Sequence, residues 1–225
     1  MIDRRTFIAS AAALAAGPSF AAEAVDVALV LAVDSSTSVS MDEFYLQMEG
    51  YAAAMRHPAL AEAIGAGRIG AVGVLFFEFA DAKTHVVNLE WRRLAGVADL
   101  EAYAKELEIA PRLVVGGTTA IGDAIDFGHA ALDDCPYAAG RRVIDVSGDG
   151  ASNAGRAVGA ARADAVGLGI TINGLPILNE EPDLDAYYRA FVIGGTGAFC
   201  VPARDYLDFR EAIRDKLVRE IRFVA

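Results

Sequence analysis

The sequence predicts an α/β domain: a doubly wound, mostly parallel sheet with helices on both faces and one antiparallel edge strand. Three observations point there. Short continuous apolar runs recur along the chain, as strands buried on both faces do. Segments with apolar residues at helical spacing alternate with them, the order produced by right-handed strand-helix-strand crossovers. The 225 residues, 54% hydrophobic and 23% charged, suffice for one sizeable core and leave no room for two ordinary domains.

The chain opens Met-Ile-Asp-Arg4-Arg5-Thr-Phe7-Ile8, continues with the small-residue apolar run Ala9–Ala16 and reaches Gly17-Pro18-Ser19-Phe20-Ala21-Ala22. An arginine pair before a short apolar stretch, followed by small-residue processing sites, is an export signal of twin-arginine type. The stretch is too short to span a bilayer. Residues 1–22 are set aside as signal and 23–225 form the domain, which places it in the periplasm or outside the cell.

Asp26–Val33 is a continuous apolar run ending at Asp34, the pattern of a central strand. Met41–Arg56 carries Phe44, Met48, Tyr51 and Met55 at helical spacing, and His57-Pro58 ends it. Ile69–Phe77 is a second apolar strand, and Thr84–Trp91 follows across an Asp81-Ala82-Lys83 hairpin as an edge strand. Leu100–Leu107 is helical; Gly116-Gly117-Thr118-Thr119 then leads into a helix over Ala120–Asp133. Strands over Arg142–Ser147 and Ile170–Leu175 alternate with helices over Arg156–Val166 and Asp183–Phe191. A short strand, Ala198–Val201, and a closing helix, Tyr206–Ile221, complete the order.

The net charge is −11. Residues 1–22 hold Asp3, Arg4 and Arg5, so setting them aside removes a net +1 and leaves −12. Nucleic acid and anionic membrane are excluded as partners on this balance, and no spanning segment follows the signal. An oxidising compartment permits Cys135 and Cys200 to pair if their Cα atoms lie close; a free-thiol role for both stays open beside it. No cysteine spacing of metal-binding type occurs.

In such folds the functional crevice lies beyond the carboxyl ends of the strands, where the winding reverses. Asp34-Ser35-Ser36-Thr37-Ser38 ends the first strand and offers a carboxylate and hydroxyls at alternate positions, which point the same way on extended backbone. Asp145-Val-Ser-Gly-Asp149-Gly150 ends another strand, and the Gly-Gly-Thr-Thr loop brings hydroxyls to the same edge. All of these donors are oxygen, the type that hard cations prefer.

These residues resemble the von Willebrand factor A domain family, with its Rossmann-like fold and a metal-ion-dependent adhesion site. That site is built from Asp-x-Ser-x-Ser, a threonine in a second loop and an aspartate in a Thr-Asp-Gly-like third loop. The resemblance implies metal binding by Asp34, Ser36, Ser38, Thr119 and Asp149, with the serines as direct ligands and the aspartates acting through water. Thr119-Ala-Ile-Gly122 resembles the family's Thr-x-x-Gly helix opening; Thr118 is the alternative. Gly148 departs from the Thr or Ser that commonly precedes the aspartate. Val-Ile-Asp-Val-Ser-Gly-Asp-Gly, Thr-Ile-Asn-Gly-Leu and Val-Ile-Gly-Gly-Thr-Gly-Ala-Phe also resemble a DUF1194-like branch of exported bacterial von Willebrand A-like proteins.

On this resemblance the chain is a metal-dependent protein-binding module and not an enzyme. Mg²⁺ is the default ion, with Mn²⁺ or Ca²⁺ as alternatives, and an open coordination position accepts a carboxylate from a protein partner. Two other readings stand beside it. A Mg²⁺-dependent phosphohydrolase resembling the haloacid dehalogenase-like enzymes would use Asp34 as nucleophile, but Ser36 replaces the second aspartate, its general acid. A purely structural metal in the same fold is the other. Gly65-Ala-Gly67-Arg-Ile-Gly70 matches G-x-G-x-x-G but precedes a strand instead of following one, so it is no dinucleotide fingerprint. Ser147 lacks the leading glycine of a nucleophile elbow. His57, His85, His129, Trp91 and the acidic run Glu180–Asp185 carry no assigned chemistry.

Overall fold

Five strands, β1 (Ala24–Asp34), β2 (Val72–Phe79), β3 (His85–Leu94), β4 (Ala138–Gly148) and β5 (Thr171–Pro176), pair in the order β3-β2-β1-β4-β5 in the computed structural model, which describes residues 22–222. β1 runs parallel to β2 and β4, β4 parallel to β5, and only β3 is antiparallel. This is the doubly wound sheet with one antiparallel edge that the apolar runs predict. The export-signal reading falls on residues outside the described range, Ala22 apart.

Among the described residues seven α-helices accompany the strands: α1 (Met41–Arg56), α2 (Pro58–Gly65), α3 (Val97–Glu108), α4 (Ile121–Asp133), α5 (Val158–Gly167), α6 (Leu184–Tyr187) and α7 (Phe209–Arg222). β1 shows why the sheet is covered twice. Its alternate residues Val27, Leu29, Leu31 and Val33 join a core with Phe44 and Met48 of α1, Leu60 of α2, Leu100 of α3 and Ile213 of α7. Ala28, Val30 and Ala32 point the other way, into a core with Ile121 and Ile125 of α4 and Ala161 of α5.

The structure departs from the sequence reading in three places. Pro58 ends α1 but also opens α2, because a missing N–H costs nothing at a first helical position; His57 Nδ1 accepts the Ala59 amide at 3.2 Å as the cap. The predicted strand Ala198–Val201 pairs with β5 only through isolated bridges, Gly174 with Cys200 and Ile177 with Ala203. Val201 and Ala203 donate to the Gly174 and Pro176 carbonyls of β5, and Pro202 between them lacks an N–H only on the side away from β5, where an edge tolerates it. The helix expected over Asp183–Phe191 is a single α turn, α6, that widens into a π-helical turn, Tyr188–Val192. Cys135 and Cys200 are free thiols.

α7 is tied to the sheet by a buried ionic cluster. Lys216 Nζ lies 2.5 Å from Asp145 Oδ1 of β4 and 3.3 Å from Glu220 Oε1, with all three side chains out of solvent. Asn173 of β5 donates to Glu220 at 2.6 Å and accepts the Phe199 amide at 2.9 Å. Burial pushes the Lys216 ammonium down, but the carboxylates of Asp145 and Glu220 outweigh it and hold the group protonated. Burial likewise pushes the Asp145 carboxyl up, and Lys216 works against that.

Removing one partner of such a cluster strands the others in low dielectric. Lys216→Met is expected to cost about 3–5 kcal/mol at neutral pH in a denaturant melt. The folded-state Asp145 carboxyl is already raised above its unfolded value and loses its opposing cation, so the folded variant binds the proton more tightly than the unfolded chain does. Its stability is therefore expected to fall as pH rises above about 4; a deficit independent of pH contradicts this account.

Candidate metal centre

The winding reverses at β1, whose neighbours β2 and β4 lead in opposite directions, so the carboxyl ends of β1 and β4 frame the crevice. Asp34 is the last residue of β1 and fully buried. Its Oδ1 accepts the Ser36 amide at 2.8 Å, which turns the chain sharply out of the sheet. After that turn Ser36 and Ser38 face inward with their Oγ atoms 3.1 Å apart. The intervening Thr37 faces the other way: its hydroxyl donates to the Gly117 carbonyl at 2.8 Å and accepts the Gly117 amide at 2.9 Å, fastening the first loop to the second.

In the second loop Thr119 and Thr118 are clearly distinguished. Thr119 is buried and donates from Oγ1 to Ser36 Oγ at 3.2 Å. Thr118 is exposed and gives its amide and hydroxyl to Asp81 Oδ1, at 2.8 and 2.6 Å, outside the cluster. Asn153, from the loop after β4, accepts the Thr119 amide and donates its own to the Thr119 carbonyl, both at 2.9 Å. In the third loop, Asp149 Oδ1 accepts from Ser38 Oγ at 2.6 Å and Oδ2 from the Tyr206 hydroxyl at 2.9 Å. The structure thus gathers Asp34, Ser36, Ser38, Thr119 and Asp149 and leaves Thr118 aside.

Two carboxylates are buried in this cluster. Burial pushes the Asp34 carboxyl up to about 7, with the Asp149 charge adding to it and the Ser36 amide opposing it. Burial also raises Asp149, against the hydrogen bonds from Ser38 and Tyr206. Asp34 Oδ2 has no hydrogen-bond partner in the protein. A divalent cation meets these conditions: it compensates both charges, and the surrounding donors are oxygen alone. Among the described residues no three Asp, Glu, His or Cys side chains form a metal cluster; the set here is two carboxylates and three hydroxyls.

Residues that the sequence reading passed over hold the loops. Arg112 spends its guanidinium on main-chain carbonyls, those of Ser35 and Val39 at 2.8 Å, Ser36 at 3.2 Å and Val114 at 2.8 Å. The segment carrying it is pinned by Glu78, a carboxylate buried within the apolar β2, which accepts the Leu113 and Val114 amides at 2.9 and 3.0 Å. Glu181, in the acidic run to which the sequence assigned no chemistry, accepts the Ala151 amide at 3.1 Å. Glu78 interrupting an apolar strand was a signal of a buried acceptor; Arg112 and Tyr206 left none, because their partners are distant in sequence. Ser147 meets Tyr51 at 3.2 Å and takes no part in the cluster.

The family model described as a protein of unknown function (DUF1194) matches residues 24–225. No curated protein matches the chain. Among solved structures, the open conformation of the pilus adhesin SpaC from Lactobacillus rhamnosus GG is similar with a TM-score of 0.61 at 14% identity, covering 88% of this chain and 30% of the adhesin. A von Willebrand factor type A protein from Catenulispora acidiphila gives 0.57 at 18% identity, covering 88% and 43%. Proximal thread matrix protein 1 of the mussel byssus, in a form with a zinc-occupied MIDAS motif, gives 0.54 at 15% identity, covering 89% and 47%. The chain spans less than half the length of each, and identities this low carry the fold alone. With the sheet order, the two layers of helices and the family match together, this chain has the von Willebrand factor A fold and belongs to the DUF1194 family.

Proposed function

We propose that the domain is an exported, metal-dependent protein-binding module of adhesion type. Ser36, Ser38 and Thr119 would hold a divalent cation directly, and Asp34 and Asp149 through water. The observation that carries this reading is the contact of Ser36 Oγ with both Ser38 Oγ, at 3.1 Å, and Thr119 Oγ1, at 3.2 Å, beside two buried carboxylates. The donors are oxygen alone, which suits Mg²⁺, with Mn²⁺ or Ca²⁺ as alternatives. When bound, the cation would be incompletely neutralised and would offer an open position to a partner's carboxylate.

The chain's own residues support binding over catalysis. Asp34 is fully buried and its Oδ1 is engaged by the Ser36 amide, a poor position for a nucleophile attacking phosphate. Ser38 is the exposed member of the cluster and marks the side from which a partner approaches. The neighbours that are an adhesin and a thread matrix protein accord with this reading. Export rests on the N-terminal signal; among the described residues no helix is long and apolar enough to cross a membrane.

Calorimetric titration of Mg²⁺ and Mn²⁺ into the metal-free domain is expected to show binding that Ser36→Ala abolishes and that Asp34→Ala and Asp149→Ala weaken without unfolding the protein. Binding retained in all three variants sinks the assignment. Thr119→Ala is expected to lower affinity and Thr118→Ala to leave it alone; the reverse order would move the ligand by one residue. Arg112→Met frees the Ser35 and Ser36 carbonyls and should cost about 1.5–3 kcal/mol in a thermal or denaturant melt, with weaker Mg²⁺ binding because the first loop is no longer held in place.

A further inference from the structure

Tyr188 opens the π-helical turn after α6; its ring is fully buried and its hydroxyl has no hydrogen-bond partner in the protein. Asp34 Oδ2, at the candidate metal centre, is likewise buried and without a partner. Both flank one point. A Cβ added to Gly148 would stand 2.8 Å from Asp34 Oδ2 and 3.2 Å from the Tyr188 hydroxyl. Glycine at 148 therefore keeps the space between the two oxygens clear. Gly174 of β5 does the same for the ring, since a Cβ there would stand 2.6 Å from Tyr188 Cδ1.

The slot accounts for an aromatic ring at 188 but not for its hydroxyl. Phenylalanine fills the same volume without leaving a polar atom unpaired, and a buried unpaired hydroxyl is costly to keep. A π turn is likewise a rare conformation that tends to occur at functional sites. Gly148, the residue of the third loop that faces this point, brings no side chain to it.

We propose that Tyr188 is a positioning residue of the metal centre: its hydroxyl donates to Asp34 Oδ2 in the cation-loaded protein and fixes the carboxylate's orientation from behind. The proposal rests on the reading of the cluster as a metal site. A donor at this point favours the ionised carboxylate and limits its rotation, so the water-mediated contact to the cation is preorganised.

The test is Mg²⁺ titration of the wild-type chain and Tyr188→Phe, with thermal unfolding of both in chelator. The variant is expected to bind Mg²⁺ about tenfold more weakly, the equivalent of one hydrogen bond to a charged group. Its metal-free melting temperature should be unchanged or raised, since an unpaired hydroxyl has gone. Mg²⁺ should also produce a near-ultraviolet tyrosine difference signal in the wild type that shrinks in the variant, a readout that packing alone does not move. Equal affinities, or a difference signal unaffected by the substitution, overturn the role of Tyr188 while leaving the metal centre standing. No binding by the wild type overturns both.

Discussion

The structure turns on two carboxylates, Asp34 and Asp149, taken out of water at the carboxyl ends of β1 and β4. A charge buried there is tolerated only where hydrogen bonds and compensating charge surround it. Asp34 sits where the central strand leaves the sheet, so its position is set by pairing on both sides of β1. Every loop around it is then fixed by bonds that keep main-chain groups satisfied: Thr37 to Gly117, Asn153 to Thr119, Arg112 to four carbonyls. These contacts leave three hydroxyls facing inward beside the acids.

The molecule contains a second buried acidic pair, and the contrast is instructive. Under α7, Asp145 and Glu220 receive their cation from the chain itself, as Lys216. At the carboxyl ends of β1 and β4, the guanidinium that bears on Asp34 belongs to Arg112 and is committed to loop carbonyls. One cluster is internally balanced and ties a helix to the sheet; the other is built to accept a cation from solution, in the reading proposed above. The same electrostatic requirement thus yields a structural fastening in one place and a candidate binding site in the other.

Most of the fold was legible because burial on both faces leaves a strong imprint on a strand. The run Asp26–Val33 shows it, and β1 is buried along almost its whole length. The helices with a clear apolar face, α1, α3, α4 and α7, were legible for the same reason. What was missed had an ambiguous local signal. Pro58 both stops one helix and starts the next, Ala198–Val201 is an apolar run that buries Phe199 and Cys200 beside β5 yet meets it only through isolated bridges, and the π turn at Tyr188 leaves no mark in the helical pattern.

The sequence by itself determined the strand ends and hence the oxygen-bearing residues at them, because side-chain alternation and the stop of an apolar run are local properties. It therefore offered Asp34, Ser36, Ser38 and Asp149, and the resemblance added Thr119 with Thr118 as its alternative. Only the tertiary structure decided which threonine turns inward, since that depends on Asp81 capturing Thr118 across 37 positions of chain. It alone brought Arg112, Tyr206 and Tyr188 to the cluster. The carbonyls of Ser35 and Val39 that Arg112 holds and the Asp149 carboxylate that Tyr206 holds lie far along the sequence, and a hydrogen bond made across the fold leaves no periodicity in the chain that makes it.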